Sequence, residues 1–289
     1  MATKILVAGA SGNLGHAILT ELQQQGYTTR ALVRDAARLG AQRQYAGEVF
    51  TADARDVQKL SGVAAGVSVV ISALGASLHL GPTRDGATFQ TVDYEANRNL
   101  LREAQAAGVA EFVYVSMCGV EKMRGLAYVE AHEAFVAELQ SSGLDYTIVR
   151  PTGFFYLFEE IWKMAQRGVM LLMGNGSVRT NPIHEDDLAR FCVESINSAE
   201  RERPVGGPDI MTRREIAELA ARSNGKTVRF IPMPVGVMRV LLRPVRLFDR
   251  KLYELMDFGV YVNTVEVVAP TIGTRKLGDY FAGLSRSIT

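Results

Sequence analysis

The chain lacks several features that mark secreted, membrane-spanning or nucleic-acid-binding proteins. It has only two cysteines, Cys118 and Cys192, in 289 residues, which argues against a disulfide framework and fits a reducing compartment. The formal net charge is +1, which gives no general attraction to nucleic acid or to acidic partners. No apolar run reaches the length of a membrane span.

The start of the chain also lacks the pattern of a targeting segment. Residues 1–4 lead directly into an apolar strand pattern, which leaves no room for a signal peptide. We therefore expect a cytoplasmic protein. Hydrophobic residues make up 47% of the chain, enough for one substantial core or for a main domain with a smaller lobe.

The most informative feature is a glycine-rich turn that joins an apolar strand to a helix. Gly9 lets the chain turn tightly off the strand, Gly12 allows a pyrophosphate to approach the backbone, and Gly15 allows close packing of helix and strand. The first helical turn offers free N–H groups and a partial positive charge to phosphates. A turn without a ligand is the alternative, but this setting favours a dinucleotide site. Its expected residues are Gly9, Ser11, Gly12, Asn13, Leu14 and Gly15.

Strand and helix patterns alternate through the first half of the chain. This alternation predicts an α/β fold, a doubly wound parallel sheet of the Rossmann type covered on both faces. We expect a nucleotide-binding domain over residues 1–152 and a smaller substrate lobe, partly interleaved with the sheet, over residues 153–289. The predicted strands of the first half are Lys4–Gly9, Thr28–Val33, Glu48–Thr51, Ser68–Ala73, Glu111–Ser116 and Tyr146–Arg150.

The second half has shorter strand patterns and two helix starts. Thr212 and Glu215 form a capping box. The acidic run that follows His184 favours a helix N-terminus over a metal site, so no metal is expected. The loop Gly75–Ala87 is expected to be mobile and close to the ligand. The predicted strands are Val169–Met173, Val178–Ile183, Pro204–Gly206 and Val228–Ile231.

The end of the second strand indicates which nucleotide binds. An acidic residue there would bind the ribose hydroxyls of NAD, whereas this strand ends in Arg34. A guanidinium can clamp a 2′-phosphate through bidentate bonds, and Arg38 can assist from the next turn. The sequence therefore favours NADP(H), with an ordinary solvated arginine as the alternative.

Two further strand ends are expected to contact the nucleotide. Asp53, with Ala54 beside it, either accepts a hydrogen bond from the adenine amine or caps the following helix, and the sequence leaves both alternatives open. The fourth strand ends in residues that let the backbone approach the ribose and pyrophosphate. These residues are Ala73, Leu74 and Gly75.

The fifth strand ends in Ser116, and the next helix carries Tyr128 and His132 one turn apart on one face. Together with the Gly-x-x-Gly-x-x-Gly spacing, these residues resemble the atypical short-chain dehydrogenase/reductases. That family has a serine after the fifth strand, a Tyr-x-x-x-Lys pair and a supporting asparagine. The resemblance implies catalytic roles for Ser116 and Tyr128, with His132 in the place of the lysine and Asp93 in that of the asparagine.

Other stretches extend this resemblance over nearly the whole chain. Residues 142–155 and 205–208 are similar to NmrA-like and isoflavone-reductase-like proteins, the nucleotide-binding subunit of respiratory complex I and plant divinyl chlorophyllide reductase. The resemblance implies that Pro151, Thr152 and Phe154 run beside the nicotinamide. The neighbouring apolar residues favour a small hydrophobic substrate, although they also fit a core. They are Phe154, Phe155, Leu157, Phe158 and Trp162.

The histidine at position 132 bears on the direction of the reaction. It cannot supply the permanent positive charge of a lysine, and a free tyrosine with a pKa of ~10 is ionised about one part in a thousand at pH 7. Reduction suffers less from this than oxidation, because it needs only a neutral tyrosine as proton donor. We therefore expect a reductase of a C=O or conjugated C=C bond. Ser116 would orient a substrate oxygen, Tyr128 would donate a proton, and His132 would hold Tyr128 or the ribose.

Two other functions remain open. The missing lysine also fits a non-catalytic NADP(H)-binding redox sensor or assembly factor, in which Tyr128 and His132 only line the pocket. The segment Pro234–Lys251 mixes apolar and basic residues and could lie in a lipid interface. Membrane contact is the less favoured interpretation, because Pro244 breaks the pattern and the resembling families use this region to cover the substrate pocket.

Overall fold

The computed structural model describes residues 3–78 and 86–286, so residues 79–85 of the loop Gly75–Ala87 lie outside the described residues. The central strands of the main sheet contain buried apolar runs, as parallel strands covered on both faces require. The described strands are β1 (Lys4–Ala8), β2 (Thr28–Val33), β3 (Glu48–Thr51), β4 (Val69–Ser72), β5 (Glu111–Val115), β6 (Asp145–Pro151), β7 (Val169–Met173), β8 (Arg179–Thr180), β9 (Glu202–Val205), β10 (Met211–Thr212) and β11 (Arg229–Met233).

The helices are amphipathic and mostly follow the strands that they cover. No helix within the described ranges has both the length and the apolarity needed to cross a membrane. The α-helices are α1 (Asn13–Gln24), α2 (Val57–Leu60), α3 (Asn97–Ala106), α4 (Ala127–Gln140), α5 (Glu159–Ala165), α6 (Glu185–Glu194), α7 (Arg213–Ser223), α8 (Val235–Phe248), α9 (Arg250–Val262) and α10 (Leu277–Arg286).

The main sheet is parallel and has the order β3-β2-β1-β4-β5-β6-β9. The order reverses between β1 and β4, and the crevice outside the carboxyl ends of these strands is where such sheets bind ligands. The predicted doubly wound fold is therefore confirmed. The seventh strand, β9, comes from the second half and contains Pro204, which an edge strand tolerates.

The two faces of the sheet bury separate apolar cores. In β1, Ile5 and Val7 belong to the core on one face, where α1 and α6 pack together. Leu6 and Ala8 belong to the core on the other face, which includes residues of α3 and α4. This alternation follows from the two-residue period of a strand, and it holds the end of β1 rigidly below the glycine-rich turn.

A third core lies in the second half of the chain. Trp162 of α5, Ile216 of α7 and Phe281 of α10 are buried in it. The capping box of Thr212 and Glu215 is confirmed at the start of α7. Because β9 joins the main sheet and α6 packs on α1, the second half is interleaved with the first. The boundary at residue 152 stays a prediction.

A wide π-helical turn, Gln90–Ala96, precedes α3 where the sequence pattern predicts continuous helix from Tyr94. The side chain of Asn97 holds this turn open, because its Nδ2 atom donates to the carbonyl of Asp93 at 2.9 Å. The Asn97 Oδ1 atom also accepts from the hydroxyl of Ser72 at 2.6 Å. The π turn is thereby fastened to the end of β4, which fixes where Asp93 lies.

Candidate active site

A cavity of about 420 Å³ opens at the carboxyl ends of the central strands. Its wall combines the residues that follow β1, β2, β3, β4 and β5, and it therefore lies at the topological switch point of the sheet. The sequence-predicted residues that line it are Gly9, Ser11, Gly12, Asn13, Leu14, Gly15, Arg34, Arg38, Asp53, Ala54, Ala73, Leu74, Gly75, Ser116, Tyr128, His132 and Phe154.

The glycine-rich turn has the geometry of a phosphate cradle. Gly9 has a φ of +75°, and a Cβ atom there would lie 2.6 Å from the carbonyl oxygen of Ala73. A Cβ atom on Gly15 would lie 2.2 Å from the carbonyl oxygen of Gly9. Gly12 is the N-cap of α1 and makes no side-chain cap, so the first amides of the helix point outward without intrahelical partners. These features fit a bound pyrophosphate.

Two arginines, Arg34 and Arg38, line the cavity beyond the end of β2. The acidic neighbour of Arg34 is engaged elsewhere, because Asp35 caps the short helix Ala36–Tyr45 and accepts from the amide of Ala37 at 2.9 Å. The rim at this point is net cationic, because its arginines outnumber Asp53, the one carboxylate among the described lining residues, which interacts electrostatically with Arg34. Such a rim suits a 2′-phosphate better than a free ribose hydroxyl.

The structure excludes one of the two alternatives for Asp53, and the adenine contact stays a prediction. The cap of α2 is Asp56, which accepts from the amide of Lys59, so the capping role expected as one alternative for Asp53 is wrong. Asp53 lines the cavity and forms an ion pair with Arg55, at 2.6 Å between Oδ2 and Nη2. The hydrogen bond from Arg55 lowers the pKa of Asp53, which keeps this carboxylate ionised. Arg55, also in the cavity wall, is missed by the sequence analysis.

His132 is held by two buried residues rather than by Tyr128. Its Nδ1 atom lies 2.6 Å from the hydroxyl of Tyr114. Its Nε2 atom lies 3.3 Å from Oδ1 of Asp93, at ion-pair distance but without the alignment of a hydrogen bond. His132 lines the cavity, but its Nε2 atom is buried and faces Asp93. The expected support of the Tyr128 hydroxyl by His132 is replaced by an edge-on ring contact, with centroids 4.6 Å apart.

Asp93, expected among the catalytic residues, does not line the cavity. It is fully buried behind the wall and accepts from the amide of Ala76 at 3.2 Å. The π turn places it there, which a purely helical pattern cannot reveal. Asp93 therefore contacts His132 and the loop after β4 from behind the wall, and its part in catalysis stays a prediction.

Tyr128 is enclosed by three rings. Its ring centroid lies 5.1 Å from that of Phe89, 4.6 Å from that of His132 and 4.6 Å from that of Phe258 in α9. Burial raises the pKa of Tyr128 well above that of a free tyrosine, and the negative charge of Asp93 raises it further. The phenol consequently stays neutral, the form that donates a proton, and the residue lines the cavity.

Ser116 has a cationic neighbour that the sequence analysis does not identify. Nη1 of Arg150 lies 3.4 Å from Oγ of Ser116 and donates to the carbonyl of Met117 at 3.3 Å. Two carboxylates, Glu133 and Glu202, neutralise this guanidinium. The signal in the sequence is an arginine directly after the buried apolar pair Ile148 and Val149 of β6.

Two residues predicted beside the nicotinamide, Pro151 and Thr152, are not among the residues that line the cavity, and their contact with the nucleotide stays a prediction. Thr152 donates its hydroxyl to the carbonyl of Asn181 at 2.6 Å, because β6 is buried between β5 and β9. Tyr156 and Lys251 line the cavity in addition to Phe154. Neither is identified by the sequence analysis, because both come from the second half of the chain.

The run of apolar residues after Phe154 forms core rather than pocket. Phe155, Phe158 and Trp162 are buried in the third core and do not line the cavity. The acidic run after His184 also has structural partners. His184 caps α6 by accepting from the amide of Asp186 at 3.1 Å, and Asp187 binds Arg275.

The family to which this architecture belongs can be stated from the sequence. A protein family described as NAD(P)H-binding matches residues 9–199, which include the glycine-rich turn and most of the cavity wall. The chain belongs to this family. Members of the NAD(P)H-binding family bind the nucleotide that the cradle and the switch point predict.

Curated relatives of this NAD(P)H-binding protein carry two kinds of description. The divinyl chlorophyllide a 8-vinyl-reductase of Arabidopsis thaliana is 27% identical, over 98% of this chain and 69% of the relative. The photosystem II assembly factor Ycf39 of Synechocystis is 26% identical, over 85% of this chain and 75% of the relative. The resemblance to divinyl chlorophyllide reductase that the sequence suggests is thus confirmed.

Solved structures give the same fold. An NADPH-dependent quinone oxidoreductase of Escherichia coli, in complex with NADPH, superposes with a TM-score of 0.76 at 21% identity. The match covers 97% of this chain and 99% of that protein. The second half of the chain is therefore part of the same architecture as the nucleotide-binding half.

Proposed function

We propose that this protein is an NADPH-dependent reductase of a C=O or conjugated C=C bond in a small hydrophobic molecule. The observation that carries the proposal is the half-buried Tyr128, which lines the same cavity as the phosphate cradle and whose raised pKa keeps the phenol neutral. A proton donor and a dinucleotide site that share one cavity are the two requirements of such a reduction.

The preference for the phosphorylated nucleotide rests on charge. Arg34 and Arg38 line the cavity where an acidic residue would select NAD. Guanidinium groups bind a phosphate through charge-assisted hydrogen bonds. They therefore favour NADPH strongly over NADH, which lacks the 2′-phosphate. This argument needs only the end of β2 and is independent of the chemistry at Tyr128.

The roles of the residues follow from their positions in the cavity. Bound NADPH supplies a hydride to the acceptor. Tyr128 donates its phenolic proton to the atom that gains negative charge, and its raised pKa favours the protonated form. The hydroxyl of Ser116, close to the Arg150 guanidinium, orients the substrate oxygen. His132, held between Tyr114 and Asp93, supports the ring of Tyr128 through an edge-on contact.

The class of substrate is supported by the character of the wall around these groups. Apolar and aromatic side chains occur there with few charges, which suits a flat or conjugated hydrophobic molecule. The side chains concerned are Leu78, Val92, Tyr128, Phe154 and Tyr156. The proposal of a hydrophobic substrate therefore rests on these side chains. It does not rest on Phe155, Phe158 and Trp162, which are buried in the third core.

A screen of NADPH oxidation against quinones, enones and aromatic aldehydes tests the proposal. We expect turnover with at least one acceptor, and Tyr128→Phe should lower kcat at least about a hundredfold while leaving the Kd for NADPH unchanged. The half-buried Tyr27, outside the cavity, offers a matched control in Tyr27→Phe. Unchanged turnover in Tyr128→Phe would remove Tyr128 from the mechanism.

A second function, NADP(H) sensing without turnover, is favoured by His132 in the lysine's place and by the similarity to an assembly factor. Titration of the purified protein with NADPH and NADP⁺ distinguishes the two functions. Comparable affinities, together with turnover in the screen, support the reductase. A large gap between the two affinities, with no turnover on any acceptor class, supports the sensor.

A further inference from the structure

Helix α8 presents an apolar face to solvent that no part of the described protein covers. Leu242 is the one buried residue among Val235–Phe248. Leu247 and Phe248 are 84% and 89% exposed, unusually high values for large apolar side chains. The exposed apolar residues of the helix are Val237, Val240, Leu241, Leu247 and Phe248.

These exposed residues form one continuous stripe. At about 100° per residue, they and Pro244 fall within an arc of about 120° on the helix. Leu242 falls on the opposite side and anchors the helix to the body of the protein. The stripe therefore faces directly away from the fold, and the protein lies on one side of the helix only.

Of the arginines of α8, Arg243 lies at the edge of the stripe, whereas Arg239 and Arg246 lie on the side of the helix that faces α9. Residues 235–248 contain three arginines and no acidic residue. Arg239 stacks on the ring of Tyr261 in α9 at 5.1 Å, and Arg246 on that of Tyr253 at 5.8 Å. These contacts hold two guanidinium groups beside α9, so that the apolar stripe stays free of charge.

The structure removes both objections that the sequence raises against membrane contact. Pro244 lies inside α8, which continues to Phe248, so the proline does not break the helix. No residue of α8 is among those that line the cavity, whereas Lys251 of α9 is. The pocket cover expected from this segment is therefore α9, which also contacts Tyr128 through Phe258, and α8 is the outer helix.

We infer that α8 is an in-plane membrane-docking helix that binds the surface of an anionic bilayer. A helix with an apolar face and arginines beside it lies in the lipid interface, with its side chains among the acyl chains and its charges at the headgroups. The 14 residues of α8 are too few to span a bilayer. The stripe lies on the outer side of a single helix and is convex, so it can insert into a flat lipid surface. The inference does not rest on the proposed reductase activity.

Vesicle flotation tests this inference with the full-length protein. Vesicles of phosphatidylcholine mixed with phosphatidylglycerol should bind the wild type, and phosphatidylcholine alone should bind it more weakly. The double variant Leu247→Ser with Phe248→Ser should lower binding at least about tenfold. The control Val57→Ser with Ile210→Ser removes two exposed apolar residues outside α8 and should bind like the wild type. An unchanged Kd for NADPH shows that each variant is folded.

The arginine at the edge of the stripe has its own test. Arg243→Gln should weaken binding to the mixed vesicles several-fold and leave binding to phosphatidylcholine alone unchanged. Absence of wild-type binding to the mixed vesicles overturns the inference, and so does full binding by the Leu247→Ser, Phe248→Ser variant. A wild-type dimer that this variant converts to monomer, without vesicle binding, would instead assign the stripe to a second copy of the chain.

Discussion

The Nε2 atom of His132 lies 3.3 Å from the Oδ1 atom of Asp93, and both side chains are buried. The carboxylate also accepts from the amide of Ala76, so one acidic side chain ties α4 to the loop after β4. Replacement of a lysine by His132 is therefore accompanied by a buried acidic partner. The lysine implied by the resemblance would carry a fixed positive charge. His132 provides instead an imidazole ring whose orientation the neighbouring Asp93 restrains.

Asp93 should contribute to both stability and turnover, by separable routes. Asp93→Ala leaves the Ala76 amide without its acceptor and should lower the free energy of unfolding by about 1–3 kcal/mol. Asp93→Asn keeps an acceptor and should recover most of that loss, but without the carboxylate it should lower kcat about tenfold. Denaturant unfolding and NADPH oxidation measure the two effects. Equal kcat in Asp93→Asn and wild type would restrict Asp93 to a structural role.

Arg34 should select the phosphorylated nucleotide. Arg34→Ala should raise the Kd for NADPH at least about tenfold and change the Kd for NADH by less than about threefold, because only NADPH has the 2′-phosphate. Isothermal titration of both nucleotides gives the ratio. The control is Arg43→Ala, which removes an exposed arginine of the short helix Ala36–Tyr45 that lies outside the cavity wall. Parallel losses for both nucleotides would argue against a 2′-phosphate contact.

Gly15 should tolerate no side chain. A methyl group there would meet the carbonyl oxygen of Gly9 at 2.2 Å, so Gly15→Ala should cost about 1–3 kcal/mol of unfolding free energy and weaken nucleotide binding strongly. Gly236 in α8 has open space around its Cα atom, and Gly236→Ala should be neutral or slightly stabilising. Thermal unfolding and NADPH titration compare the two variants. Wild-type binding in Gly15→Ala would contradict the cradle.

Glu185 should make the protein less stable as the pH rises. Burial raises the pKa of Glu185 to about 7 in the folded state, above its ordinary value of about 4.5. The unfolded chain therefore loses this proton first, and stability falls from about pH 4.5 to about pH 7, by up to about 3 kcal/mol. Glu185→Gln should raise the unfolding free energy at pH 8 and have little effect near pH 4.

The control for this prediction lies on the same helix. Glu194 of α6 is exposed, so Glu194→Gln should leave the dependence of stability on pH unchanged. Urea unfolding at several pH values measures all three proteins. An identical gain in Glu185→Gln at both ends of the pH range would show that the gain does not come from the carboxyl titration.

The nucleotide half of the site is predictable from the sequence because its signals are local. The six residues of the glycine-rich turn are consecutive or nearly so, and each has a backbone requirement of its own. Arg34 and Ser116 follow apolar strand patterns, so their places at the sheet edge follow from counting strands. The predictions from sequence fail where the backbone departs from the regular repeat of an α-helix. Asp93 is displaced behind the wall by a π turn that has the same apolar pattern as an α-helix.

What the sequence by itself determined is the order of strands and helices, the phosphate cradle and the cationic end of β2, because these depend on residues close together in the chain. Only the tertiary structure decided that Asp93 holds His132, that Arg150 lies beside Ser116, and that Lys251 reaches the cavity. Such contacts join residues on different elements, and they depend on how the helices pack on the sheet. Local periodicity does not encode that packing.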